Sequence, residues 1–146
     1  MPKLGHVHIK VSDLDEAAEF YTGLFGLKVV EKVGNSYAFL SFGKSHHDIA
    51  LQNVGSGARK PGERDIGLYH FAIEMESEKE LAEVYFKLEK EGVECSPVDH
   101  GISKSIYLED LDGNGIEVYV DTRSKGNEWG GNNRPLDFEK YRKQKN

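Results

Sequence analysis

Residues 6–11 read His-Val-His-Ile-Lys-Val and residues 70–75 read His-Phe-Ala-Ile-Glu-Met, and laying one over the other decides the fold. The offset of 64 positions holds downstream: Glu16 falls on Glu80, Ala18 on Ala82, Glu19 on Glu83, Tyr21 on Tyr85 and Leu24 on Leu88. Gly26 and Gly92 close the two stretches. Matched His, Ile, Ala, Tyr and Leu in order, each run ending in glycine, mark an internal duplication.

Each copy reads as strand, helix, then three strands. Val7, Ile9 and Val11 alternate with His6, His8 and Lys10, the period of two of a strand. Ser12 and Asp13 supply a helix cap, with Asp15 or Glu16 completing a capping box. Leu14, Ala17, Ala18, Tyr21, Leu24 and Phe25 make one apolar helical face, and Gly26 is the stop signal. Strands are expected near Lys28–Val33, Tyr37–Phe42 and Asp48–Gln52, with turns at Gly34-Asn35 and Gly43-Lys44. In the second copy Tyr69, Phe71, Ile73 and Met75 form the strand face. Ser77 and Glu80 cap a helix whose face is Leu81, Val84, Tyr85 and Leu88. Strands are expected near Val93–Ser96, Ser105–Glu109 and Ile116–Val120, with a turn at Asp112-Gly113-Asn114-Gly115. The chain thus divides into residues 1–122 (module one 4–54, polar linker 55–66, module two 67–122) and a tail, 123–146.

Composition narrows the function. The 146 residues suit one domain built from two halves, and a formal charge of −6 disfavours general nucleic-acid binding. The tail holds seven Lys or Arg against three Asp or Glu, a net +4 on a body of −10. It reads as a solvated basic segment with a short helix at Leu136–Gln144. A single cysteine, Cys95, excludes an internal disulfide framework and a cysteine-rich zinc site. With no apolar run near the ~20 residues of a membrane span and no signal-like start, the chain reads as soluble and cytoplasmic.

Six histidines remain to be explained. The Val/Ile face of each first strand is expected to pack on a helix, which turns the His face toward the concave side of a sheet. His6 and His70 occupy equivalent repeat positions, so a pseudo-two-fold would bring both to one central place. Glu117 lies inside an apolar strand, where a carboxylate needs a metal, an Arg or a Lys to offset burial. With His6 and His70 nearby by symmetry, a metal is the economical partner. Ala50 fills the fourth symmetric place and cannot coordinate. A 2-His-1-carboxylate set leaves positions open for substrate and oxygen, which suits Fe(II) and also admits Mn, Zn or Ni.

With these segments in view, the sequence resembles the vicinal oxygen chelate superfamily: glyoxalases, bleomycin-resistance proteins and extradiol dioxygenases. The resemblance covers about residues 4–122 and rests on HVHIKVSDLDEAAEFYTGLFGL, YHFAIEM and DLDGNGIEVY; Leu111 replaces a proline usual in the last turn. It implies an α+β fold of two βαβββ modules forming a cupped mixed sheet around one metal, in a homodimer or larger homo-oligomer. Glyoxalase-type members supply a first-module carboxylate at the place of Ala50, so its absence counts against them. SHHDIALQ resembles the extradiol dioxygenase segment bearing an acid/base histidine, which implies that role for His47. DHGIS resembles the segment of a further active-site histidine, here His100, and Tyr107 stands ten positions before Glu117 as the active-site tyrosine of those enzymes does. His8 shares the His6 face and is expected to line the substrate pocket; His46 alternates away and is expected at the surface. The resemblance is best to small single-domain catechol-2,3-dioxygenase-like proteins, implying an iron enzyme that acts on a catechol with O2. A glyoxalase-type isomerase, lyase or thiol transferase is the alternative, and a non-catalytic binder of small molecules the third reading.

Overall fold

Alternation along the first strand and a capped amphipathic helix after it generate the same local structure twice. The computed structural model describes residues 1–126 and 128–142. It divides into two compact units: residues 1–67 with the turn Asp110–Asn114, and residues 68–109 with 115–146, of which 127 and 143–146 lie outside the described residues. The mixed α+β architecture that the resemblance implies is present, with the strands of the two modules in two sheets.

In the first unit β1 (Val7–Val11) buries Ile9 and Val11 and exposes His8 and Lys10. Asp13 caps α1 (Leu14–Phe25) by accepting the Glu16 N–H at 2.9 Å. Gly26 ends it at φ 71°, a left-handed conformation that costs a glycine little. β2 (Lys28–Val33), β3 (Tyr37–Ser41) and β4 (Ile49–Asn53) follow. The sheet order is β1-β4-β3-β2, with β1 and β4 parallel and the rest antiparallel. Leu14, Tyr21 and Leu24 of α1 join Ile9, Val11, Leu40 and Leu51 in the core.

Tyr21 is fully buried, and its hydroxyl donates to Asp110 Oδ2 at 2.7 Å. Asp110 Oδ1 also accepts the backbone N–H groups of Asp112 and Asn114, so the turn is wound around one carboxylate. Burial, and next the charge of Asp110, push the Tyr21 phenol far above its ordinary value.

The second unit repeats the plan with β5 (Phe71–Glu74), α2 (Glu78–Glu91), β6 (Cys95–Asp99), β7 (Ser103–Glu109) and β8 (Gly115–Asp121). β5 and β8 are parallel, as β1 and β4 are. Ala72 pairs with Glu117 as His8 pairs with Ala50, so Glu117 and Ala50 hold equivalent places. The strand begins at Phe71, leaving Tyr69 exposed and His70 just ahead of β5. On α2 the buried face is Leu81, Ala82, Val84, Phe86 and Leu88; Tyr85, expected within it, is half-buried.

The tail departs most from expectation. It contributes β9 (Arg134–Pro135), which pairs with β6 and makes the sheet β5-β8-β7-β6-β9, and α3 (Glu139–Arg142). Phe138 is 2% exposed and lies on Tyr85 with ring centroids 5.0 Å apart. Glu78 gathers Lys104, Lys140 and Tyr141, and Arg142 grips Glu89 through two N–H groups. Charge counting reads this segment as solvated because it misses the single aromatic that anchors it. Lys143 and Gln144, the end of the expected helix, lie outside the described residues.

Candidate active site

β8 carries an apolar and a polar face. Ile116, Val118 and Val120 are buried, which turns Glu117 and Tyr119 to the opposite side. β7 lies antiparallel beside it, with Tyr107 directly opposite Glu117 and Ser105 two residues along on the same face. The Ser105 hydroxyl, fully buried, donates to Glu117 Oε1 at 2.7 Å. Tyr107 Oη stands 3.1 Å from the same oxygen. The other carboxylate oxygen, Oε2, faces His70 Nε2 at 3.1 Å, with side-chain exposures of 16% for Glu117 and 28% for His70.

The row continues outward. His100 Nε2 is 2.7 Å from Tyr107 Oη, and His100 Nδ1 is 2.9 Å from the Asn132 carbonyl oxygen and 2.8 Å from Asn133 Oδ1. His70, Glu117, Tyr107 and His100 thus form one hydrogen-bonded line. Burial, and then the charge of Glu117, raise the Tyr107 phenol above its ordinary value, so it is a protonated hydroxyl near neutral pH.

The first unit holds the other histidines. The His6 and His47 rings lie 4.4 Å apart between centroids, and His47 packs against Phe39 at 5.1 Å. Burial, and next the neighbouring imidazoles of His6 and His46, lower the His47 pKa, favouring a neutral ring able to accept a proton. His46 is exposed, with Nε2 3.3 Å from Glu31 Oε2 and Nδ1 3.0 Å from His47 Nδ1. His8 meets Gln52 Oε1 at 3.1 Å and sets its ring edge-on to Tyr37. Ala50 is buried at 1% exposure.

Among the described residues no group of three His, Cys, Asp or Glu is clustered to hold a metal ion. His70 and Glu117 come together as a pair of donors, an imidazole nitrogen facing a carboxylate oxygen. That pair fits a divalent cation, because Ser105 and Tyr107 occupy only the far oxygen of Glu117 and fix its orientation.

Four contributors escape the sequence reading. Ser105 shares the polar face of β7 with Tyr107, a signal available once β7 and β8 are paired. Gly115 is needed for space: a Cβ there would collide with the Tyr69 carbonyl oxygen and come within 3.1 Å of His70 Cβ. Asn132 and Asn133 lie in a Gly/Asn-rich stretch that carries no local sign of its destination.

The chain is similar to known proteins over most of its length. The Glyoxalase/Bleomycin resistance protein/Dioxygenase superfamily matches residues 3–118. The chain is 33% identical over 118 residues to a catechol-2,3-dioxygenase of Bacillus subtilis, covering 81% of this chain and 41% of that one. To a lactoylglutathione lyase of Arabidopsis thaliana it is 34% identical over 122 residues, covering 77% and 42%. The chain therefore spans about two fifths of each of these relatives. A solved structure described as a possible glyoxalase of Bacillus cereus superposes with a TM-score of 0.64 at 25% identity, covering 80% of this chain and 96% of that one. The duplicated strand–helix–strand units and the matched span together make the chain a member of the Glyoxalase/Bleomycin resistance protein/Dioxygenase superfamily.

Proposed function

We propose that the protein is an Fe(II)-dependent extradiol dioxygenase, which opens the ring of a catechol-type substrate beside its vicinal hydroxyls and puts both atoms of O2 into the product. The observation that carries this reading is the line His70–Glu117–Tyr107–His100. An isomerase of the glyoxalase type has no need of a tyrosine and a histidine joined in that order, and buried Ala50 offers no first-module carboxylate.

His6, His70 and Glu117 would hold the cation, which supplies adjacent sites for the vicinal oxygens and O2 and a path for electrons from the ring to O2. Ser105 and Tyr107 orient Glu117 through Oε1. A catechol must shed hydroxyl protons to react, and the neutral imidazole of His47 would accept one at its ring nitrogen and hold it for return to a product oxygen. Tyr107 hydrogen-bonds a substrate oxygen beside Glu117, and His100 backs Tyr107 from the outer side. His8 and Tyr37 make a polar and an aromatic wall for the ring.

The 34% identity to a lactoylglutathione lyase favours a second reading, metal-dependent isomerisation or lysis of a thiol adduct. Anaerobic purification, metal analysis and assay with catechol and O2 decide between them. One iron per chain and a yellow ring-fission product support ring cleavage. Nickel or zinc with hemithioacetal turnover and no catechol activity overturns it.

A further inference from the structure

His100 stands on a loop wrapped by the tail. Its carbonyl oxygen accepts the Asn132 N–H at 2.9 Å, and its N–H donates to the Ser103 carbonyl at 2.8 Å. Gly101 follows at φ 78° and packs beneath the Asn132 amide, whose nitrogen would lie 3.1 Å from an added Cβ. Thr122 closes the other side, its hydroxyl donating to the Gly101 carbonyl at 2.8 Å. One residue beyond the asparagines the tail pairs with β6, and Phe138 locks it down.

The proton inventory follows from this enclosure. A backbone carbonyl oxygen has no proton to give, so the 2.9 Å contact between Asn132 O and His100 Nδ1 is a hydrogen bond only with the proton on Nδ1 and favours that tautomer in part. Asn133 Oδ1, at 2.8 Å, is a second acceptor for it. A neutral imidazole protonated on Nδ1 presents a lone pair at Nε2, and the group facing Nε2 is the Tyr107 hydroxyl at 2.7 Å. Tyr107 has one proton, and both His100 Nε2 and Glu117 Oε1 stand where they can take it. Glu117 Oε1 is the farther, at 3.1 Å, and is already served by Ser105 at 2.7 Å.

We propose that Asn132 and Asn133 are positioning residues: they hold His100 in the Nδ1–H tautomer, which keeps the Nε2 lone pair facing the Tyr107 hydroxyl as a second acceptor for the proton that Tyr107 also gives to Glu117 Oε1. When a substrate hydroxyl that has kept its proton comes beside Glu117, the Tyr107 proton can turn from Glu117 to His100 Nε2, and the tyrosine oxygen then accepts from the substrate. In the other tautomer His100 would donate to Tyr107, Tyr107 would donate to Glu117, and the tyrosine would reject a protonated hydroxyl. The tautomer follows from hydrogen-bond geometry; its effect on turnover rests on the ring-cleavage function proposed above.

Long-range proton–nitrogen NMR on the ¹⁵N-labelled full chain, without added metal and at about pH 8 where imidazoles are neutral, reads the tautomer directly. Wild type should show His100 with a protonated Nδ1 and an unprotonated Nε2. Asn133→Ala should shift its population toward Nε2–H, and Asn133→Asp, which keeps an oxygen acceptor, should restore it. With iron and catechol, Asn133→Ala should lower kcat about 10-fold with KM unchanged. A wild-type His100 protonated on Nε2 overturns the proposal even if catechol is cleaved, as does a tautomer unmoved in Asn133→Ala. A wild type that carries Nδ1–H, responds to Asn133→Ala and cleaves no catechol upholds the positioning and removes only the ring-cleavage function.

Discussion

Tyr107 and Glu117 are direct partners across the antiparallel β7–β8 pair, with their oxygens 3.1 Å apart. The register makes the contact unavoidable: a shift of either strand by one residue would put one of the two on the apolar face. The sheet that buries Ile106 and Val118 thus also sets the polar row, so packing and chemistry share one alignment.

Replacing Tyr107 by Phe removes the link between His100 and Glu117 while leaving Ser105 on the carboxylate. Iron binding should persist, and ring cleavage should fall about 10²-fold, in the range of losing one proton-handling group. Steady-state kinetics beside metal analysis checks this. Loss of iron together with activity would instead make Tyr107 a support of the metal.

Ser105→Ala tests the orientation of Glu117. The serine is fully buried and its hydroxyl is the shorter of the two contacts to Oε1. The variant should lose roughly 1–2 kcal/mol of stability, as for an acceptor deprived of one buried donor. Metal affinity should fall roughly 10-fold or more, as when an outer partner of a ligand is removed. Denaturant unfolding and Fe(II) titration measure the two separately.

Gly115→Ala should damage the same site from behind. The added methyl meets the Tyr69 carbonyl oxygen and presses on His70, so the backbone ahead of β5 must move. Overpacking of this kind costs roughly 1–3 kcal/mol. Unlike an ordinary surface change it should also weaken metal binding through His70. A melting curve with and without Fe(II) shows both effects, and unchanged binding would mean that the Tyr69–His70 segment yields freely.

Glu78 predicts a pH dependence for the docked tail. Partial burial works to raise its pKa, but hydrogen bonds from Lys104 and Tyr141 and the charges of Lys104 and Lys140 outweigh it, and the net shift is downward. A depressed carboxylate contributes stability that is present above its unfolded pKa and lost as pH falls through the folded one. Glu78→Gln should therefore be less stable than wild type by about 1 kcal/mol above roughly pH 5, with the gap closing at lower pH. Unfolding midpoints of the two proteins from pH 7 to pH 3 give the comparison.

Periodicity and the repeat made most of this architecture legible. Both helices end at the glycines that close the repeat, with φ of 71° at Gly26 and 68° at Gly92. Alternation alone puts Glu117 on the polar face of β8, and the pairing of Ala72 with Glu117 and His8 with Ala50 is the symmetry read from the duplication. Other features depend on contacts far apart in sequence. Ser105 matters because β7 lies beside β8, Gly115 because Tyr69 passes behind it, and Asn133 because the tail returns 33 residues later to His100. The tail misleads by composition: seven cationic side chains outweigh, in a charge count, the one buried Phe138 that decides where it lies.

Tyr21 and Asp110 supply the last prediction, at alkaline pH. The buried phenol donates to a carboxylate that also holds the Asp112 and Asn114 N–H groups. Tyr21→Phe should cost roughly 1–3 kcal/mol at neutral pH, because a charged acceptor loses a buried donor. The phenol's folded pKa is raised by burial and by Asp110, so its contribution is complete below the unfolded phenol pKa of about 10 and declines as pH rises beyond it. Wild type should therefore lose stability above about pH 10 more steeply than Tyr21→Phe, and the two unfolding curves should converge there. Parallel curves through that range would mean that Tyr21 ionises as freely folded as unfolded, which its full burial and its 2.7 Å bond to Asp110 oppose.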